Sequence, residues 1–169
     1  DETAPLADEG GRRPGRTSKR KAGASTDPVY LLVTLAEQGR STLECRSSLL
    51  TAGAKAAVLS GVVRVGRPEL DARLGGGSPG ELSGREMARF GTAIGRMLLP
   101  ATIRDGLEAM SRRPLVVVHD REASRVPWEV LRIGDFHPAL ERGLSRRYAS
   151  ENLSVARWRE NRSTGDRPR

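Results

Sequence analysis

The sequence predicts an α/β fold in which a β-rich N-terminal half leads into a helix–strand C-terminal half. Three observations lead there. Val29–Leu35 and Ser41–Ser47 are dense in strand formers, an amphipathic helix starts at Ser83 and breaks near Pro100, and Leu115–Val118 is wholly apolar. With 169 residues, 37% of them apolar, the chain has material for one domain with a modest core.

Val29–Leu35 reads as a strand that ends at Glu37-Gln38-Gly39. In Ser41–Ser47, Leu43 and Cys45 share one period-2 face, with Thr42, Glu44 and Arg46 opposite. The four-residue gap between the two runs suits a hairpin. Leu49–Leu59 is ambiguous, because its alanine-rich middle also fits a short helix. Val62–Val65 reads as a weak strand, and Pro68-Glu69-Leu70 opens a turn or short helix.

The second half opens on Ser83 with Glu86 three residues later, the spacing of a capping box. Met87, Phe90, Ile94, Met97 and Leu98 then fall three or four apart and form one apolar stripe, with Arg85, Arg89 and Arg96 free to reach solvent. Gly91 and Gly95 invite close approach by another element. Pro100 must end or kink the helix, and Ile103, Leu107 and Met110 continue its face. Leu115–Val118 has the profile of a buried central strand. Pro127 opens a short helix at Trp128–Leu131, Ala139–Leu144 forms about one helical turn, and Tyr148–Arg157 reads as a strand pair or one bent strand.

These elements divide the chain into a tail at 1–27, a β-rich accessory region at 28–74, a linker at 75–82, a helix–strand region at 83–159 and a polar tail at 160–169. The first tail runs from acidic residues to the basic cluster Arg12–Lys21 and is too polar to offset its ordering entropy.

Composition excludes several function classes. One cysteine cannot build a disulfide framework and suits a reducing compartment. No apolar run reaches the roughly 18 residues of a membrane span, and the N-terminus lacks the order of a secretory signal, so a cytoplasmic address is expected. Two histidines and one cysteine, widely spread, make no metal signature, and Gly75–Gly80 lacks the lysine ending of a phosphate loop. No metal and no cofactor are expected. A net charge of +8 is compatible with an acidic partner or with non-specific nucleic-acid contact through Arg12–Lys21.

His119 and Asp120 stand where α/β folds place working residues, but neighbours in a strand point to opposite sides, so a loop-fixing role is the plainer reading. Cys45 shares a strand face with Leu43 and reads as a small buried hydrophobe. No complete catalytic site is expected in this chain. Glu129 is the charged residue in an otherwise apolar ledge of Trp128, Val130 and Leu131, and orders either the local structure or a nearby loop.

Pro127-Trp128-Glu129-Val130-Leu131 resembles the Pro-aromatic-Glu-x-Leu motif of CHAT-domain proteins, caspase-like cysteine peptidases often joined to tetratricopeptide repeats in bacteria. Leu98-Leu99-Pro100, Ile103–Leu107 and Leu115–Val118 resemble the family's segment before the motif. Tyr148-Ala149-Ser150 and Leu153-Ser154-Val155 resemble its strand region after it. The resemblance covers about residues 85–158 and implies the N-terminal part of a caspase-like fold. It implies that Pro127, Trp128, Glu129 and Leu131 are structural motif residues. In that family the catalytic His and Cys follow this region, in His-Gly and Ser-Ala-Cys type segments, so neither His119 nor Cys45 holds a family catalytic position.

The expected role is therefore a non-catalytic N-terminal fragment or subunit of such an endopeptidase, scaffolding a partner segment that carries the dyad. A processed piece, a truncated product and a separate companion subunit all fit, and a start at Asp1 with an end at Arg169 suits processing. Phe90, Gly91, Ile94, Gly95, Met97 and Trp128 are candidates for the partner contact. The alternatives are a non-enzymatic protein-interaction module and a basic nucleic-acid-associated protein.

Overall fold

The computed structural model describes residues 27–51, 58–76 and 82–149. Val29–Glu37 forms β1 and Thr42–Thr51 forms β2, and the two pair antiparallel. Gly39 turns the hairpin with φ at +82°, a conformation that favours glycine. Val58–Gly66 forms β3, antiparallel to β2 from Leu50↔Val58 to Thr42↔Gly66. This strand is longer than the expected Val62–Val65, because β2 supplies hydrogen-bonding partners beyond the stretch whose side chains signal a strand. Of the ambiguous Leu49–Leu59, both described ends are strand, and residues 52–57 lie outside the described residues.

Arg67–Leu74 forms α1 and Gly84–Leu98 forms α2. The capping box is made: Glu86 Oε2 accepts the Ser83 N–H at 2.9 Å, and Ser83 Oγ accepts the Glu86 N–H at 3.4 Å. Helix α2 stops at Leu99, which is extended (φ −113°, ψ 125°) because the ring of Pro100 disfavours helical backbone before it. Ala101–Ala109 then forms α3, so the expected long helix is broken at Pro100. Leu115–His119 forms β4, buried at every position. Two 3-10 turns follow at Ala123–Arg125 and Trp128–Val130, then α4 at Pro138–Glu141 and β5 at Leu144–Tyr148. Tyr148, expected to open a strand, closes one, and the remainder of that expectation, to Arg157, falls outside the described residues.

The five strands form one mixed sheet in the order β3-β2-β1-β4-β5, with β1, β4 and β5 parallel. Strand β1 is its centre, paired with β4 from Val29↔Leu115 to Val33↔His119. Residues 28–74, expected as an accessory region, therefore contribute three of the five strands of a sheet shared with the second half.

Alternation along the strands sorts side chains to two faces. On the first, Leu31, Val33, Leu43, Cys45, Leu49 and Val117 pack with Ile94 and Leu98 of α2, Ile103 and Leu107 of α3, and Trp128. Burying such side chains is worth about 1.5–3 kcal/mol each. Helix α2 meets the segment after Pro127 so closely that a Cβ on Gly91 would collide with the Val130 carbonyl.

Candidate functional site

The C-terminal ends of the parallel strands β1, β4 and β5 bring together His119, Asp120, Arg146 and Tyr148, and the loop after β4 adds Ser124 and Glu129. This is where a parallel sheet presents loops for chemistry. Asp120 leaves the end of β4, and its backbone N–H still bonds the Val33 carbonyl at 3.3 Å. Its carboxylate accepts two further N–H groups, Leu35 N at 2.9 Å and Ala123 N at 2.8 Å. One side chain thus ties the end of β1 to the first 3-10 turn.

The same loop is fixed twice more. Trp128, with 0% exposure, donates its indole N–H to the Ala123 carbonyl at 2.9 Å. Arg146 donates from Nη2 to the Ser124 carbonyl at 2.6 Å. A second contact of Arg146 runs from Nε to His119 Nε2 at 3.3 Å. Arginine only donates, so Nε2 is the accepting nitrogen and Nδ1–H faces the Asp120 carbonyl at 3.1 Å. The Tyr148 ring stands edge-on to the imidazole, with centroids 6.2 Å apart and planes at 72°. Both nitrogens of a 5% exposed His119 are thereby engaged in holding structure.

Glu129 is exposed and meets Arg146 Nη1 at 3.4 Å, a long contact between partly solvated groups. Such pairs contribute about 0–1 kcal/mol. Cys45 is buried on β2, and burial first, with the Asp120 charge second, pushes its thiol up to about 12. A thiol so protonated at neutral pH is no nucleophile. Among the described residues, no three His, Cys, Asp or Glu side chains are grouped to hold a metal ion, and no helix is long and apolar enough to cross a membrane.

The motif residues resolve into distinct roles. Trp128 and Leu131 are core, Pro127 is half-buried at the turn, and Glu129 faces solvent beside Arg146. The residues expected at a partner contact take part in this chain's own packing. Gly91, Ile94, Gly95 and Trp128 are buried within this chain, where the helix and the segment after Pro127 satisfy one another, and Phe90 and Met97 are half-buried against the same core. The glycine spacing signals close approach correctly, but the approaching element belongs to the same chain.

Arg146 is the residue that sequence reasoning passes over. Its signal is weak: a period-2 run from Leu144 to Tyr148 puts it inward, yet inward arginine in a short polar stretch reads as an edge strand. A separate open groove of about 400 Å³ lies on the outer side of α2, lined by Ala88, Arg89, Thr92, Ala93, Arg96 and Arg132. The basic cluster Arg12–Lys21 lies outside the described residues.

No protein-family model, curated protein or solved structure matches the chain.

Proposed function

We propose that this chain is the non-catalytic N-terminal portion of a cytoplasmic, CHAT-type caspase-like cysteine endopeptidase, and that it scaffolds the portion carrying the catalytic His and Cys. One observation carries the reading. The Pro127–Leu131 motif is anchored behind the C-terminal ends of three parallel strands, and the outermost of these, β5, has an outer edge that is unpaired among the described residues. An unpaired edge is a template for a further strand. A peptidase portion adding its own strand parallel to β5 brings its strand end beside His119, Arg146 and Glu129, on the side where α/β folds do their chemistry. The protonated, buried Cys45 and the fully engaged His119 support a dyad supplied from elsewhere.

Native purification followed by intact-mass analysis tests this. The expected result is a polypeptide that carries a His and a Cys, held by this chain or continuous with it. A chain that purifies with neither contradicts the reading.

A second reading, a non-enzymatic interaction module, draws on the groove of Arg89, Arg96 and Arg132, whose charge suits an acidic protein surface. Under that reading the complex forms through the groove and cleaves no peptide, and Arg89→Glu with Arg96→Glu abolishes it.

A further inference from the structure

Strand β3 closes the sheet at the end opposite β5, and no strand lies on its outer side among the described residues. Natural sheets blunt such an edge with a proline, a bulge, a short strand or charge. Strand β3 runs nine residues without a proline, and its register with β2 is unbroken from Leu50↔Val58 to Thr42↔Gly66. Its one charged residue is Arg64, which lies 3.9 Å from Glu44 of β2. Three of its large apolar side chains stay open to solvent, Val58 at 42%, Leu59 at 36% and Val62 at 53%.

The ladder fixes which backbone groups the edge offers. The Arg67 N–H donates to the Ser41 carbonyl at 2.8 Å, one step beyond the Thr42↔Gly66 pair. Antiparallel strands alternate bonded and unbonded pairs. Leu59, Gly61, Val63 and Val65 therefore turn their N–H and C=O towards β2, and Val58, Ser60, Val62, Arg64 and Gly66 turn theirs outward. The other side of β2 agrees, since the Thr42 carbonyl accepts the Gln38 N–H of the β1 side at 2.8 Å and so faces away from Gly66.

Val62 is the midpoint of Val58–Gly66. A second β3 laid antiparallel about a two-fold axis at Val62 matches the whole strand, outward groups against outward groups. Val62 then meets Val62 of the second copy, Ser60 meets its Arg64 and Val58 meets its Gly66. On the opposite face Leu59 meets Val65. No like charges stand opposite one another. An axis at Arg64 would set two guanidiniums face to face, and one at Ser60 would run Val63–Gly66 past the end of the other β3.

We propose that β3 pairs with β3 of a second copy of this chain, giving a two-fold dimer with one continuous sheet through both copies. The pairing covers Val62 and Leu59, and it satisfies the outward N–H and C=O groups with main-chain bonds. It uses the edge remote from β5, so the inference is independent of the peptidase reading.

Sedimentation equilibrium of the whole chain over a concentration series tests this. The expected result is a monomer–dimer equilibrium. Val62→Lys sets two ammonium groups on the axis and should weaken the dimer several-fold. At Ser60 the register sets the sign: Ser60→Glu faces Arg64 of the second copy and should tighten the dimer several-fold, and Ser60→Arg should weaken it several-fold. Both Ser60 variants lose the same exposed contact with Ser48, so their difference reads the charge. They decide the matter if Val62→Lys fails to fold. A chain that stays monomeric at every concentration overturns the proposal and leaves the edge to a different protein. A dimer indifferent to Val62→Lys, or one that the two Ser60 variants shift in the same direction, overturns it too.

Discussion

The Asp120 carboxylate accepts the Leu35 backbone N–H at 2.9 Å across 85 residues of sequence, while its other oxygen accepts from Ala123 at 2.8 Å. Leu35 lies past the end of the β1–β4 pairing, and Ala123 opens the 3-10 turn, so on this side neither N–H has a strand partner. Asp120→Ala should leave two part-buried N–H groups unsatisfied and destabilise by about 2–4 kcal/mol. Asp120→Asn keeps one acceptor and should lose about half as much. Urea midpoints of the two variants check the order, and an Asp120→Ala within about 0.5 kcal/mol of wild type would show that water replaces the carboxylate.

Gly91→Ala sets two effects against each other. Alanine gains about 1 kcal/mol of helix propensity. Its Cβ, however, collides with the Val130 carbonyl, a backbone atom that cannot swing away. The collision should win, giving net destabilisation of about 1–3 kcal/mol. Gly84→Ala is the control, since nothing lies within 4 Å of its added carbon. It should be neutral or stabilising in the same thermal melt.

Cys45 makes stability depend on alkaline pH. Its thiol titrates at about 12 in the folded chain against 9.0 in the open one, mainly through burial. Between these values the folded chain keeps a proton that the unfolded chain releases, so stability falls as pH rises from about 9 towards 12. At pH 10 the loss is about 1.4 kcal/mol. Urea unfolding at pH 7 and pH 10 should show this extra loss in the wild type and not in Cys45→Ala. Equal losses in both proteins would mean that the thiol is reached by solvent.

Glu129 separates stability from assembly. Its 3.4 Å contact with Arg146 is between groups 52% and 28% exposed. Glu129→Gln should therefore shift stability by less than about 0.5 kcal/mol. Under the proposed function the same substitution weakens assembly with the peptidase portion, read as a faster dissociation rate. Unchanged assembly would reduce the residue to a solvated side chain.

How much of this was legible in the sequence follows from which signals are local. The capping box at Ser83 and Glu86, the break at Pro100 and the buried run Leu115–Val118 depend on neighbours in the chain, and they fall where the spacing puts them. The first half of strand β3, Val58 to Gly61, is specified by pairing with β2 rather than by its own residues, so its sequence carries little strand signal. Gly91 and Gly95 announce a close contact but not whose, and only the fold shows that the backbone of Val130 and Arg132, with the side chains of Leu131 and Ile133, fills it. Asp120 was legible as a loop-fixing residue from its place after β4. Arg146 was not, because its three contacts, His119, Ser124 and Glu129, lie 27, 22 and 17 residues away.

The proposed role is scaffolding of a cysteine peptidase whose nucleophile comes from another portion. It is tested most directly by peptide cleavage in the assembled complex, with each cysteine changed in turn. The account predicts cleavage that survives Cys45→Ala in this chain and vanishes when the cysteine of the adjoining portion becomes alanine. Cleavage that is lost with Cys45→Ala, or a well-formed complex that cleaves no peptide under any activating condition, would contradict it.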